Sequence, residues 1–164
     1  MKIGTWNVNS LKVRLPHVIQ WLEANQPDVL CLQETKLQDG FFPLAELSAS
    51  GYSSIHVGQK TYNGVALLSK QPGRNVISAI PNFEDDQKRV IAATYGDIRV
   101  VCIYVPNGEN IESEKFKYKL NWLSALYSWL REELAQFPKL ALLGDFNIAP
   151  EDSDVHDPEL WKDQ

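Results

Sequence analysis

Apolar residues recur along the chain with two periods, one typical of helices and the other of strands. In residues 10–28 and 113–137 they return every three or four positions, which predicts two amphipathic helices. Ser10 and Ser113 precede these segments and are suitable N-caps, and Pro16 predicts that the regular first helix begins near that residue. The apolar stripe of the second helix consists of Phe116, Leu120, Leu123, Tyr127, Leu130 and Leu134.

Shorter apolar runs predict β-strands: "KIGTWNV", "VLCLQET", "YSSIHVG", "GVALLSK", "RVIAATY", "IRVVCIYV" and "KLALLGDFN". The third to sixth runs form two predicted antiparallel hairpins, because turn-forming residues such as Gly96 and Asp97 separate each pair. The order of strand, helix, strand, hairpins, helix and strand predicts an α/β protein. Its middle part is antiparallel, which is typical of the α+β class. We expect a mixed β-sheet that helices cover on one face.

Consecutive apolar residues within these strands indicate that the sheet is buried on both faces. After Ile148 the sequence is polar and short, so no later segment is available to cover the second face. We therefore expect either an exposed apolar sheet face, which would make this chain marginally soluble, or a partner or further half of the domain that covers it.

Composition places the chain among ordinary globular domains. It has 164 residues, of which 44% are hydrophobic and 23% charged. No run is long enough to span a membrane and the N-terminus has no apolar signal region, so we expect a cytoplasmic protein. Cys31 and Cys102 lie in apolar runs, which favours buried, reduced thiols. The net charge of -5 is not the basic balance typical of nucleic-acid-binding domains, so such binding would depend on a local basic face.

Polar residues of a similar kind follow four of the predicted strands. The carboxylates are Glu34 and Asp145, and the neutral groups are Asn7, Asn9, Gln33, Tyr104, Asn107 and Asn147. Because strand ends can converge at one edge of a sheet, these residues can form a single site. Oxygen ligands from Glu, Asp and Asn suit a hard cation such as Mg²⁺ or Mn²⁺, and the Asn and Tyr side chains can hold phosphate oxygens.

Each of these residues also has an ordinary structural explanation when it is taken alone. Asn7 and Asn9 are typical turn or cap residues, and "YVPNG" is a good turn sequence. Asp145 could cap the segment that follows it, and Glu34 could be a solvated strand end. The joint occurrence of all four strand ends, in this order and with these chemical types, favours a functional site.

Six segments, "TWNVNS", "LQETK", "GVALLSK", "RVIAATYG", "YVPNG" and "LLGDFNIAPEDSDVHDP", resemble one known family in the same order over nearly the whole chain. This is the bacterial exodeoxyribonuclease III branch of the endonuclease/exonuclease/phosphatase superfamily. The resemblance implies a DNA-repair nuclease that uses Mg²⁺, or Mn²⁺, to incise DNA 5′ to abasic sites and to remove nucleotides from 3′ ends. Its expected partner is double-stranded DNA, and the full-length protein is expected to be a monomer.

The same resemblance implies roles for individual residues. Glu34 resembles the main metal ligand, with Asn7 beside it, and Tyr104 resembles a contact of the scissile phosphate. Asp145 resembles the residue that positions or activates water or handles the leaving-group proton, and Asn147 resembles one that orients the phosphate. The metal set is thus Asn7, Glu34, Asp145 and Asn147, the catalytic set is Tyr104, Asn107, Asp145 and Asn147, and the expected DNA contacts are Asn9, Lys36, Lys60 and Arg89.

The resemblance also implies a four-layer α/β sandwich, of which residues 1–164 would be the N-terminal part of a single domain. The family's second half contains a paired Asp and His that complete the site, and His156 belongs to a different loop. The chain ends at "ELWKDQ" in mid-pattern, so we expect it to be impaired or inactive alone. Two alternatives stay open: a phosphoinositide-type phosphatase of the same superfamily, and a non-catalytic fragment that binds DNA or metal.

Overall fold

A computed structural model describes residues 1–157 and residue 159 of the chain. The strands are β1 Ile3–Asn7, β2 Val29–Gln33, β3 Ser53–Val57, β4 Val65–Ser69, β5 Arg74–Ile77, β6 Val90–Tyr95, β7 Ile98–Tyr104 and β8 Leu140–Asp145. The helices are α1 Leu11–Asn25, α2 Leu44–Ala49 and α3 Glu114–Gln136, with 3₁₀ turns at Asp39–Phe41 and Asp152–Asp154. The "ELWKDQ" segment, apart from Glu159, lies outside the described residues.

The strands form two mixed sheets of four strands each, in the orders β1-β2-β4-β3 and β5-β6-β7-β8. In each sheet one outer pair is parallel, β1 with β2 and β7 with β8, and the remaining pairs are antiparallel. The predicted hairpin through Gly96 and Asp97 is confirmed, because Tyr95 pairs with Ile98 across a two-residue turn. The predicted α/β class with mixed strands and covering helices is therefore confirmed.

The two sheets pack face to face around a common core. That core contains Val29, Cys31, Val65, Leu67, Ile91, Ala93, Tyr95, Val100 and Cys102. Alternate residues of the same strands point outwards into two further clusters, under α1 and α2 on one side and under α3 on the other. The expectation of an uncovered apolar face is wrong for the described residues, because β5 to β8 fold back as a second sheet rather than extending the first.

Helix α1 begins at Leu11, so Pro16 lies inside the helix and not at its start. The predicted late start is wrong, because a proline here removes only one backbone hydrogen bond, the one to the carbonyl of Lys12. Leu11, Val18 and Leu22 are fully buried against the first sheet, and this burial offsets the lost bond.

Helix α3 buries a face that only partly overlaps its predicted stripe, of which Leu123 and Leu130 pack against the core. Its buried residues are Trp122, Leu126, Trp129 and Glu133, whereas Leu120, Tyr127 and Leu134 are 51%, 65% and 54% exposed. The two tryptophans bring more apolar surface to the core than the leucines do, and they set the orientation of the helix. The predicted N-cap is confirmed, since the Ser113 hydroxyl accepts a hydrogen bond of 3.0 Å from the Phe116 backbone.

A buried ion pair explains why Glu133 can face the core. Arg99 of β7 donates its Nε to Glu133 Oε2 at 2.5 Å, and both side chains are almost fully buried. The Arg99 guanidinium also donates to the Asn75 carbonyl and lies 4.8 Å from the centre of the Phe137 ring. The pair therefore fixes the C-terminal end of α3 to the second sheet. No helix in the described part of the chain is long and apolar enough to cross a membrane.

Candidate functional site

The polar strand ends gather where the two sheets meet. In the first sheet Asn7 ends β1 and Glu34 follows β2, its parallel neighbour. In the second sheet Tyr104 ends β7 and is the register partner of Asp145, which ends β8. Because parallel strands end at the same edge of a sheet, the pair β1 and β2 and the pair β7 and β8 each place two polar side chains at one edge. Packing of the sheets then brings both edges together.

A single amide connects the two carboxylates of the site. Asn7 Nδ2 donates to Glu34 Oε1 at 2.8 Å and to Asp145 Oδ2 at 2.7 Å. The side-chain oxygen Oδ1 of Asn7 accepts a hydrogen bond of 3.0 Å from the Asn9 backbone N–H, which fixes the orientation of the amide. Glu34 and Asp145 therefore face a common point, with the Asn7 amide between them.

Glu34 is held as a carboxylate by the donors around it. Burial acts to raise its pKa, but hydrogen bonds from Asn7, Lys36 and Tyr104 and the charge of Lys36 together lower the pKa below its ordinary value. The Lys36 ammonium lies 2.9 Å from Glu34 Oε2 and donates to Asn9 Oδ1 at 2.5 Å. Lys36 and Asn9, which the sequence placed at DNA, are thus part of the bonded site.

The backbone around the carboxylates adopts unusual conformations. Asn9, Glu34, Lys36 and Asn147 all have positive φ angles, of 42°, 52°, 53° and 47°. Such conformations cost about 1–3 kcal/mol each and persist only where the surrounding structure enforces them. At Asn9, Glu34 and Lys36 they bring three side chains into contact with one another, which a regular strand end would not do.

Backbone hydrogen bonds hold the Glu34 segment in this conformation. Thr35 and Lys36 donate to the carbonyls of Gly64 and Asn63 at 3.1 and 2.9 Å. Gly64 has a φ of 89°, and a Cβ atom there would lie 2.2 Å from Thr35 Oγ1, so this position requires glycine. The motif "GVALLSK" thus begins with a residue that supports the site.

The first turn of α1 also depends on this segment. Ser10 and Leu11 donate their backbone N–H groups to the carbonyls of Glu34 and Thr35 at 2.7 and 3.0 Å. Ser10 occupies the N-cap position, but its side chain makes no cap bond, so the predicted capping role of its hydroxyl is wrong. The strand end that carries Glu34 satisfies these helix donors instead.

Tyr104 stands beside Glu34 as a protonated phenol. Burial, and then the neighbouring charge and carboxylate of Glu34, raise the pKa of Tyr104 to about 12. At neutral pH the hydroxyl therefore carries its proton and can donate a hydrogen bond. A phosphate oxygen that arrived at this point would meet a donor and not a phenolate.

Asn147 supports Asp145 from the following loop. The Asn147 backbone donates to Asp145 Oδ1 at 3.0 Å, and Asn147 Nδ2 donates to the Val105 carbonyl at 2.9 Å. Gly144 precedes this loop with a φ of 155°, and a Cβ atom there would lie 1.9 Å from the Ile103 carbonyl oxygen. The "GDFN" sequence thus needs its glycine for the close approach of β8 to β7.

Lys119 joins the two loops that carry Asn107 and Asn147. Its ammonium donates to the Asn147 carbonyl at 2.7 Å and to the Asn107 carbonyl at 3.3 Å, and burial lowers its pKa. Nothing in the local sequence distinguishes this residue, because it is one of several lysines at the start of α3. Asn107, Asn147 and Lys119 line an open cleft of about 940 Å³ that also contains Asn7 and Asp145.

The two remaining predicted DNA contacts, Lys60 and Arg89, make no hydrogen bond to the two carboxylates among the described residues. Lys60 is exposed on the loop between β3 and β4, and contributes no side-chain bond to the site among the described residues. Arg89 is only 9% exposed and lies behind Tyr104, with its guanidinium carbon 4.7 Å from the centre of that ring. The structure therefore places Arg89 within the protein and not on a DNA-facing surface.

The donor set fits a hard divalent cation. Within residues 1–157 and residue 159, no three His, Cys, Asp or Glu side chains cluster as a metal site. The oxygen donors that face one point are the carboxylates of Glu34 and Asp145, since both bond to the amide nitrogen of Asn7. Carboxylate oxygens are ligands that suit Mg²⁺ or Mn²⁺, and the amide oxygen of Asn7 would join them if the amide turned.

A two-sheet α/β sandwich with two carboxylates, amides and a phenol at one end is typical of proteins that act on phosphate esters with a metal ion. The chain belongs to the Endonuclease/Exonuclease/phosphatase family, whose profile matches residues 4–162. Divalent metal is the cofactor class of this family. The sequence-based resemblance to exodeoxyribonuclease III is confirmed by relatives from Haemophilus influenzae and Bacillus subtilis.

Among proteins of known function, the chain is 38% identical over 162 residues to exodeoxyribonuclease III of Haemophilus influenzae, covering 94% of this chain and 60% of that protein. It is 36% identical to an exodeoxyribonuclease of Bacillus subtilis, covering 97% of this chain and 63% of the relative. It is 32% identical to the DNA repair nuclease APEX1 of Danio rerio, covering 97% of this chain and 53% of the relative. The chain thus spans less than two thirds of each of these three proteins.

Two solved structures are also similar. One is a 3′ phosphatase from Neisseria bound to a product DNA hairpin, with 51% identity and a TM-score of 0.95 over 98% of this chain and 63% of that one. The other is an AP endonuclease from Archaeoglobus fulgidus, with 42% identity and a TM-score of 0.94 over 99% of this chain and 63% of that one. These values agree with the family assignment and extend it to the backbone arrangement.

Proposed function

We propose that this chain is the N-terminal part, residues 1–164, of a single-domain DNA-repair nuclease that hydrolyses phosphodiester bonds. Its substrates are duplexes with abasic sites, incised on the 5′ side, and DNA 3′ ends, from which it removes nucleotides. The observation that carries the proposal is the Asn7 amide that holds Glu34 and Asp145 together at distances of 2.8 and 2.7 Å. The names of the relatives support DNA as the substrate.

Glu34, Asp145, Asn7 and Asn147 are the residues that we propose to hold Mg²⁺, with Mn²⁺ as a substitute. The bound cation would neutralise phosphate charge and stabilise the departing oxygen. Glu34 is suited to this role because its pKa is lowered, so that the carboxylate is ionised at neutral pH. The Asn7 amide oxygen can face a cation only after the amide turns, because its nitrogen now bonds to both carboxylates.

The remaining chemistry is assigned to side chains that surround this point. Asp145 would orient the attacking water and accept its proton, because the Asn147 backbone fixes Asp145 Oδ1 while Oδ2 faces the site. Tyr104 would donate a hydrogen bond from its hydroxyl to a non-bridging phosphate oxygen as negative charge grows there, and would keep its proton. Asn147 and Asn107 would keep the phosphate in position, with Lys119 holding their two loops together.

A second candidate substrate is a 3′-terminal phosphate on DNA. The structure with 51% identity to this chain is that of a 3′ phosphatase bound to product DNA. Hydrolysis of a terminal phosphate needs the same water, the same donors and the same cation as hydrolysis of a diester, so one site can perform both reactions. A substrate panel therefore includes an abasic duplex, a recessed 3′ end and a 3′-phosphorylated end.

The decisive experiment measures incision of a duplex that carries one abasic-site analogue, with Mg²⁺ and with chelator. We expect slow, metal-dependent cutting by the 164-residue chain that is lost in Asp145→Asn. Slowness is expected because the family's paired Asp and His have no counterpart motif in this sequence. Absence of cutting by a folded protein that binds Mn²⁺ would mean that activity requires the rest of the domain, whereas cutting that survives Asp145→Asn would contradict the proposed function.

The same assay separates the two alternatives. A phosphoinositide-type phosphatase would release phosphate from an inositol phospholipid and leave the abasic duplex intact. A non-catalytic fragment would bind DNA or metal without cutting either substrate. A monomeric state and a cytoplasmic location are further proposals, which size-exclusion chromatography and cell fractionation test.

A further inference from the structure

Arg89 makes three contacts that converge on Tyr104. Its guanidinium carbon lies 4.7 Å from the centre of the Tyr104 ring, and its NH1 donates to the Tyr104 carbonyl at 3.1 Å. The Tyr104 backbone N–H in turn donates to the Arg89 carbonyl at 2.8 Å. The same side chain therefore holds both the ring and the backbone of the tyrosine.

Arg89 is itself held by a polar loop. Its Nε donates to Gln87 Oε1 at 2.8 Å, and that oxygen also accepts a bond of 3.3 Å from Asn63 Nδ2. The Gln87 backbone donates to Asp85 at 2.9 Å, and Asp85 accepts a bond of 2.7 Å from the Tyr118 hydroxyl of α3. The guanidinium plane is thus fixed before any substrate arrives.

Among the described residues, Arg89 forms no ion pair with a carboxylate. The arginine that does form one is Arg99, which pairs with Glu133. A buried arginine without an ion pair is costly unless other contacts compensate. Here the aromatic face of Tyr104 and the oxygens of Gln87 and Tyr104 take that role. Arginine suits this arrangement because its flat guanidinium can stack and donate in two directions at once, which an ammonium cannot do.

We propose that Arg89 is a positioning residue that acts through Tyr104. It holds the phenol ring in one orientation, with the hydroxyl at the point where Glu34 and the substrate phosphate meet. This role deepens the proposed function and rests on it, because the work of Tyr104 is to donate to a phosphate oxygen. A direct contact of Arg89 with the DNA backbone is not required, and its 9% exposure disfavours one.

The first test places 3-fluorotyrosine at position 104 and follows its fluorine resonance by NMR without metal or DNA. We expect one sharp signal in the wild-type chain, and a shifted and broadened signal in Arg89→Met as the ring samples other orientations. Arg89→Lys should restore the sharp signal only partly, because lysine lacks the planar fork. Gln87→Ala, which frees the guanidinium without touching the tyrosine, should broaden the signal as well.

A matched control removes the same chemistry elsewhere. Arg131 lies 5.9 Å from the centre of the exposed Tyr127 ring on α3, so Arg131→Met deletes an arginine–tyrosine contact far from the site. This variant should leave the position-104 signal unchanged. A second label at Tyr52, buried under the first sheet, should stay unchanged in every variant. An unchanged position-104 signal in folded Arg89→Met and Gln87→Ala would overturn the proposal.

The second test is a double-mutant cycle on the abasic duplex. Arg89→Met should lower kcat roughly tenfold with little change in KM, since misplacement of a catalytic group costs rate rather than binding. In a Tyr104→Phe background the same substitution should cost much less, because the hydroxyl that it positions is gone. If Arg89→Met instead raised KM, and reduced the slope of log DNA affinity against log salt concentration by about one, Arg89 would contact a phosphate directly. That result would overturn the proposal.

The two tests separate failure of this inference from failure of the proposed function. If the wild-type chain cuts no DNA, catalysis by this chain alone fails, and the fluorine signal still decides whether Arg89 fixes Tyr104. If the chain cuts DNA and Arg89→Met behaves as Arg131→Met does in both tests, only the positioning role fails.

Discussion

At the scale of single residues, the site depends on one neutral amide between two carboxylates. Glu34 and Asp145 would repel each other if they faced each other without a donor, and Asn7 removes that cost with two hydrogen bonds from one nitrogen. An aspartate at position 7 would have the same shape as asparagine, but it would add a third negative charge and increase the repulsion between Glu34 and Asp145. Asparagine is therefore required at position 7 as a neutral hydrogen-bond donor, although the end of β1 would accommodate many turn residues.

We expect Asn7→Leu to lower the free energy of unfolding by about 1–3 kcal/mol in the absence of metal, because two carboxylates lose a shared donor. Added Mn²⁺ should recover part of this loss, since Glu34 and Asp145 can still converge on a cation. Urea unfolding with and without Mn²⁺ measures both effects. Asn121→Leu, on the exposed side of α3, is the matched control and should change neither curve. Equal curves for wild type and Asn7→Leu would contradict this role.

Lys36 should determine how far the pH can fall before Glu34 is protonated and its contribution to stability is lost. The folded pKa of Glu34 is lowered, so the carboxylate contributes stability above its unfolded pKa, and this contribution is lost as pH falls through the folded value. Lys36→Met removes two of the causes that lower the pKa. The variant should therefore be less stable than wild type at neutral pH, and the two should converge in acid.

Urea unfolding at a series of pH values from about 3 to 7 tests this expectation. Lys12→Met, an exposed lysine on α1, controls for the loss of one positive charge. A constant stability difference between wild type and Lys36→Met across the whole range would show that Lys36 acts by packing and not through the ionisation of Glu34.

At the scale of helices and strands, the sequence predicted most elements and misjudged how they face one another. The hairpin at Gly96, the Ser113 cap and the polar strand ends follow from local chemistry, and the structure contains them. The face of α3 does not follow, because its leucines repeat as regularly as its tryptophans and only the opposing sheet decides between them. The positive φ of Glu34 is likewise set by the backbone of Asn63 and Gly64, which lie far away in sequence.

The buried pair of Arg99 and Glu133 gives a test at this scale. Arg99→Met or Glu133→Gln alone should destabilise the protein by about 3–5 kcal/mol, because each leaves its partner buried without a full set of contacts. The double variant Arg99→Met/Glu133→Leu should recover most of that loss. Urea unfolding measures all three, and Asp97→Asn, which breaks an exposed pair with Lys139, should leave stability nearly unchanged. Additive losses in the double variant would contradict this account.

At the scale of the whole molecule, the site requires both sheets and the contact between them. The residue types of the site were visible in the sequence, but the second sheet was not, since an apolar strand has the same pattern in either sheet. The supporting residues Lys119 and Arg89 were missed or misplaced for the same reason. Their roles come from packing against Asn147 and Tyr104, and nothing in their local sequence distinguishes them from surface cations.

Because the sheets share one core, we expect the two halves to unfold together. Trp6 and Trp21 lie against the first sheet, and Trp122 and Trp129 lie against the second. Variants that keep only one of these two tryptophan pairs, with phenylalanine at the other pair and at Trp161 in both, should give coincident urea transitions by fluorescence. Two separated midpoints would show that the sheets are independent units.

The hydrogen bond between Asn7 and Asp145 joins residues that lie 138 positions apart in the chain. A ribosome that adds about 5–20 residues per second needs roughly 7–28 seconds to make that interval. For most of this time the growing polypeptide contains Asn7 and Glu34 but has no Asp145 beside them. The proposed site therefore cannot assemble until the last strand of the second sheet has emerged, and an early fragment lacks one of its two carboxylates.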